Sequence, residues 1–121
     1  MIRDFDLIRK ILLEVQSSPA GAHPFSIEFP GEYEQAFVNE HVELLIEAGL
    51  IKGKVIKGLS GVVGMAILGL TWEGHDFIQA AEKDAIWKKS LEIVKDKGGA
   101  ITFDLLKELL KSVAKSALGL P

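Results

Sequence analysis

Three histidines, a run of glutamates and three closely spaced lysines are the side chains of this 121-residue chain that could carry chemistry. His23, His41 and His75 lie far apart, have no cysteine to complete a ligand set and do not form a His-Glu-x-x-His pair. They therefore do not read as a metal site. His41 falls on an apolar helical stripe and reads as a core histidine with one hydrogen bond. His75 follows Trp72-Glu73-Gly74 and reads as a capping or packing residue. No nucleophile elbow, phosphate loop or dinucleotide fingerprint occurs, and no serine or aspartate stands in a catalytic context. The expectation is a protein that is not an enzyme and needs neither cofactor nor metal.

The remaining chemistry is charge. Glu28, Glu32, Glu34, Glu40, Glu43 and Glu47 fall in a stretch without lysine or arginine, and Lys52, Lys54 and Lys57 follow them. From Gly58 to Trp72 no side chain is charged, and beyond Trp72 acids and bases balance. An acidic helix beside a basic hairpin is expected. The net charge of −3 gives no global pull toward nucleic acid. Hydrophobic residues make up 48% of the chain, so some apolar surface is left over for a partner. The uncharged stretch is too short and glycine-rich to span a bilayer. Cysteine is absent, which suits a reducing compartment. Met1-Ile2-Arg3-Asp4 lacks the features of a secretory signal. A cytoplasmic protein without a membrane partner is expected.

These residues must be positioned by a short series of elements. Asp4 caps a helix with Phe5, Ile8, Ile11, Leu12 and Val15 inward, ended by Ser17, Ser18, Pro19, Gly21 and Pro24. Phe25 to Phe29 alternates as a short strand closed by Pro30-Gly31. A turn at Glu32 to Gln35 leads into a helix ending at Gly49. Its stripe is Phe37, His41, Leu44, Leu45 and Ala48, widened by Val38, Val42 and Ile46. Leu50 to Lys57 and Met65 to Leu70 read as hairpin strands joined by a loose glycine-rich loop, Gly58 to Gly64. Gly58-Leu59-Ser60-Gly61 matches the glycine loop of KH domains, but it lies between strands and that reading is rejected. Thr71 caps a helix burying Phe77, Ile78 and Ala81. Asp84 starts another with Trp87, Leu91 and Val94 inward, stopped by Gly98-Gly99. Thr102 caps the last helix, with Ile101 and Leu106 at the spacing of a hydrophobic staple.

Helix, strand, two helices and hairpin is the order of a winged helix-turn-helix. The expected fold class is α+β, mainly helical: a winged-helix core at 1–71 and a helical C-terminal extension at 72–121. The block His41 to Ile51 resembles the end of the recognition helix and the first wing strand of bacterial winged-helix regulators. The whole chain resembles domain of unknown function 2513, a family of short bacterial and phage proteins. That resemblance is carried by Arg3 to Leu12, His41 to Ile51, Leu70 to Phe77 and Ile86-Trp87-Lys88, with the amphipathic tail. It implies the fold and assigns no activity.

Two functions compete. In the first, a DNA-binding regulator, Tyr33, Gln35 and Asn39 meet base edges while Lys52, Lys54 and Lys57 hold phosphates. Against it, Glu40, Glu43 and Glu47 share a helix face that repels phosphate. The lysines serve equally well as edge protection. In the second, an interaction module, the acidic helix meets a basic partner, or Leu106, Leu109, Leu110, Val113 and Leu118 of the tail build a homodimer. In that tail Lys107, Lys111 and Lys115 form the opposite, solvated stripe. Fold precedent narrowly favours double-stranded DNA as the partner.

Overall fold

Asp4 begins the first helix because its side chain satisfies a backbone donor that the helix leaves open: Leu7 N–H donates to Asp4 Oδ1 at 3.1 Å. The computed structural model describes residues 2–19, 26–96 and 102–120. His23, the helix-stopping Gly21, Pro24 and Gly98-Gly99, the strand residue Phe25 and the staple residue Ile101 lie outside the described residues. Among the described residues seven elements follow in order: α1 (Phe5–Ser17), α2 (Gln35–Glu47), β1 (Ile51–Gly58), β2 (Gly61–Leu70), α3 (Trp72–Ala81), α4 (Asp84–Asp96) and α5 (Phe103–Ala117). The protein is thus α+β and mainly helical, with one two-stranded antiparallel sheet among the described residues. It divides into two compact units, Met1–His75 and Asp76–Pro121.

The first unit buries one apolar stripe from each helix together with the hairpin. Leu7, Ile8, Ile11, Leu12 and Val15 of α1 are buried, as are Val38, Val42 and Leu45 of α2 and Leu50, Ile51, Ile67 and Leu70 at the hairpin base. Each such side chain contributes roughly 1.5–3 kcal/mol relative to exposure. The α2 stripe is rotated from the expected one: Phe37 and Leu44 are only half-buried and Ala48 is exposed. That helix is apolar over much of its circumference, so spacing alone did not locate its buried centre. Helix α2 ends as expected, with Gly49 at φ +78° beyond the Ala48 cap, its N–H donating to Ile46 O and that of Leu50 to Leu45 O. A left-handed residue is needed there, and glycine supplies it without a Cβ clash.

Three expectations for this unit are corrected. Between residue 26 and the hairpin the described residues hold one helix, α2, and not two, the segment 30–33 being only a turn. Residues 26–29 form no strand. Ile27 is buried, but its carbonyl accepts from the Gln35 side chain at 2.8 Å and not from a neighbouring strand. Without a third strand to pair with in the β1–β2 sheet, alternation alone does not make a strand. The loose hairpin loop is also absent: Gly58 pairs with Gly61, leaving Leu59-Ser60 as the whole tip. The ladder absorbs the extra length at two irregularities, between Lys52/Gly53 and Ile56/Lys57, where Leu68 and Val63 are the additional residues on β2.

The second unit buries Phe77, Ile78, Ala81, Trp87, Leu106, Leu110 and Val113. The rings of Phe77 and Phe103 pack at a tilt of 30° with centroids 4.8 Å apart. Ser90 is fully buried, its hydroxyl donating to Ile86 O at 2.8 Å, while Leu91 and Val94 are half-buried. Thr102 caps α5 through Leu105 N–H.

Candidate functional site

The surface with the densest unsatisfied chemistry is built by α2 and the hairpin. The turn at Ala48-Gly49 sends the chain from α2 directly into β1, which brings Lys57 of the strand against Glu43 of the helix. Lys57 reaches back to Glu43, Nζ to Oε1 at 2.6 Å. This hydrogen bond, and the carboxylate charge behind it, raise the Lys57 pKa above its ordinary 10.5. A raised lysine pKa means that the pair supports the fold while Lys57 is charged and loses that support as pH climbs past 10.5. In an NMR titration of the Lys57 ammonium the midpoint should lie above 10.5 and fall back when Glu43→Gln removes the partner. An unchanged midpoint would show that the pair does not persist in solution.

Glu40, Glu43 and Glu47 ring a shallow recess whose apolar lining is Leu44. Glu40 and Glu47 are exposed. Along β1, Lys52 and Lys54 are exposed and, among the described residues, outside any ion pair. Alternation places them on the face opposite buried Ile51, together with Ile56. Around them the hairpin is apolar and open to solvent: Ile56 is 56% exposed, Val63 67%, Leu68 66%, and Leu59 at the tip is fully exposed. Trp72, at the start of α3, is also exposed.

The other base-reading candidates are occupied locally. Gln35 Nε2 donates to Asn39 Oδ1 at 2.8 Å as well as to Ile27 O. Tyr33 stacks on Phe37 at 6.2 Å and meets the edge of Phe29, with Lys10 Nζ 5.6 Å from its ring centre. Burial raises the Tyr33 hydroxyl above its ordinary 10.0, and nearby acids add to the shift. Lys10 bonds Glu32 at 2.6 Å, which raises its own pKa. The structure therefore joins Gln35 to Asn39 and Lys57 to Glu43, and leaves Lys52 and Lys54 extended into solvent.

His41 is fully buried and makes two hydrogen bonds, not one. Asp4 N–H donates to Nε2 at 2.9 Å and Nδ1 lies 2.9 Å from Phe37 O. A backbone N–H can only donate and a carbonyl can only accept, so the ring proton sits on Nδ1. His75 is exposed on α3, its backbone N–H donating to Thr71 O. Among the described residues no group of three or more His, Asp or Glu side chains could hold a metal ion. No helix among them is long and apolar enough to cross a membrane.

Of the tail residues expected at a dimer interface, Leu106, Leu110 and Val113 are buried within the chain itself, so they offer little to a second subunit. Leu118 is 71% exposed, and half-buried Leu109 lines an open groove of ≈ 400 Å³ between α4 and α5. The apolar side chains of the hairpin were not singled out by alternation. Their signal was the long uncharged run from Gly58 to Trp72.

A family model described as a hypothetical protein, DUF2513, matches residues 2–100. A Haemophilus influenzae protein described as an uncharacterized protein is 31% identical over 119 residues, spanning 98% of this chain and 99% of its own. No solved structure matches the chain significantly. The matched span includes Arg3 to Leu12, His41 to Ile51, Leu70 to Phe77 and Ile86-Trp87-Lys88, the blocks that carry the resemblance: the chain belongs to the domain of unknown function 2513 family.

Proposed function

We propose that this chain is a protein-interaction module on a winged-helix frame, with α2 in the place of the recognition helix and the β1–β2 hairpin as the wing. The observation that carries the reading is the hairpin itself, which holds Ile56, Leu59, Val63 and Leu68 in solvent. Apolar side chains clustered on one projecting element are costly to leave wet and gain free energy when a partner covers them. Phosphate gains less from this surface. The helix that would enter the major groove turns Glu40, Glu43 and Glu47 outward, and Lys57 is already neutralised by Glu43.

A second reading, duplex DNA binding, is favoured by Lys52 and Lys54, which remain exposed on the hairpin with Gln35 and Asn39 near the N-terminal end of α2. One pair of measurements separates the two. A photoreactive residue in place of Leu59 in the full chain should give covalent protein adducts, while random duplex titrated at low and high salt should show no salt-sensitive binding. Duplex binding that weakens with salt and disappears in Lys52→Glu/Lys54→Glu, without protein adducts, would transfer the assignment to DNA.

A further inference from the structure

We propose that the partner binds the hairpin by strand addition. An extended segment of another protein pairs with the outer edge of β2, setting carboxylates against Lys52 and Lys54 and an apolar side chain against Ile56. The proposal rests on the interaction-module reading and names the form and chemistry of what is bound.

The backbone sets the form. The sheet has two strands among the described residues, so β2 pairs with β1 on one side and with no strand on the other. Every second residue of an antiparallel strand turns its N–H and C=O away from its partner, and those groups need a counterpart. A further strand supplies donors and acceptors at the matching spacing, about 4.8 Å away. Exposed edges are normally blunted by charge or proline, and β2, from Gly61 to Leu70, contains neither.

The solvent face sets the side chains. Lys52, Lys54 and Ile56 share the face of β1 opposite buried Ile51, and across the ladder they stand against Gly69, Ala66 and Gly64. Each of these long side chains therefore faces a residue of β2 with little or no side chain of its own. Ile56 already uses that room: a Cβ at Gly64 would meet its Cδ1 at 3.9 Å, and a Cβ at Gly69 would meet nothing within 4 Å. A strand added beyond β2 runs about 10 Å from β1, a gap that lysine and glutamate side chains bridge together when only alanine or glycine stands between. Exposed Lys52 and Lys54, outside any ion pair among the described residues, then gain carboxylates, and Ile56 gains an apolar neighbour. Lys57 alternates onto the other face, where it bonds Glu43 at 2.6 Å, so that acid of α2 lies across the sheet from the incoming carboxylates.

Fluorescence anisotropy on the full chain tests this with a labelled peptide, Thr-Glu-Val-Glu-Val-Ile-Val-Thr, whose glutamates and isoleucine share one strand face. Binding should weaken as salt rises, and the amides of β2 should gain protection from exchange. Replacing both glutamates by lysine should weaken binding by ~10-fold or more, and Lys52→Glu/Lys54→Glu in the protein should reverse that preference. N-methylation of alternate peptide amides should abolish binding in one register and be tolerated in the other, because only every second amide faces β2. Both lysines are exposed and the Lys57–Glu43 pair is untouched, so the variant should fold; Lys52→Ala/Lys54→Ala gives a milder second series that should lose the preference without reversing it. No binding at roughly 1 mM peptide in low salt, indifference to the charge reversals, or equal tolerance of both methylation registers overturns strand addition. Protein adducts in the Leu59 cross-linking from a chain that fails these tests leave the interaction reading standing with another mode of contact. Adducts of twice the chain mass from the pure chain show a second copy on the hairpin and overturn the acidic strand. Absence of both peptide binding and adducts removes both readings.

Discussion

Gly74→Ala should destabilise the first unit by about 3 kcal/mol and lower its melting temperature by roughly 15–20 °C. Gly74 is buried in the first turn of α3, against the Leu50 carbonyl at the junction between α2 and β1. A Cβ at this position would overlap the Leu50 carbonyl oxygen deep inside van der Waals contact and stand 3.3 Å from Leu70 Cβ. The carbonyl cannot swing aside, because it accepts from Thr71 N–H at 3.0 Å. Nor can α3 lift freely. The Thr71 hydroxyl donates to Gly49 O and accepts from Gly74 N–H at 3.0 Å, tying the helix start to the same junction. Relief therefore requires breaking the Thr71 clamp or displacing the hairpin base, and either loses packing around Leu50 and Leu70. Urea denaturation followed by far-ultraviolet circular dichroism would measure the loss as a lower midpoint at constant slope. A change within about 0.5 kcal/mol would mean that α3 is not held against the junction as described.

Features decided by a single side chain and its immediate neighbours were legible in the sequence. Asp4, Thr71 and Thr102 each accept a backbone N–H three residues on, at Leu7, Gly74 and Leu105. Capping depends on residue type at one position, so type reveals it. Features decided by a distant partner were not. The hairpin was visible as two apolar runs, but its tip was misplaced because glycine content suggested a loop where the ladder continues from Lys57–Val62 to Gly58–Gly61. The same ladder irregularities bring Val63 and Leu68 out of strict alternation and into solvent, which a period of two cannot express. The expected strand at 25–29 failed over its described residues for a related reason. Ile27 is held by burial and by Gln35, an arrangement that alternation imitates without any strand partner.

The candidate surface divides in the same way. Glu40, Glu43 and Glu47 were identifiable as one helix face from spacing alone. That Glu43 already holds Lys57 follows only from the path of the chain through Gly49, and it changes the meaning of the wing lysines. Three cations available to phosphate become two, beside a helix whose outward acids need a counter-charge. Sequence composition therefore overstated the positive character of the hairpin, and the apolar exposure around Lys52 and Lys54 became the more informative property.

His41→Leu should cost about 2–3 kcal/mol, and His41→Ala should cost about 1 kcal/mol more. The two substitutions separate polar from packing contributions. Leucine roughly fills the site but offers no acceptor, leaving the Asp4 N–H, part-buried and 37 positions away in sequence, without the nitrogen it now bonds. Alanine loses that bond and also opens a cavity next to Phe37, whose ring centre lies 4.5 Å from the imidazole. The damage should be directional as well as energetic. Asp4 caps α1, so releasing its backbone loosens the first turn that its side chain stabilises through Leu7 N–H. Amide exchange in the first turn of α1 should accelerate in both variants, beyond what global stability explains. His41→Gln places an amide oxygen within reach of the same N–H and should recover part of the loss. If the leucine variant is as stable as the wild type and its first turn as protected, the histidine is only a space-filling core residue, and the link between α1 and α2 lies elsewhere.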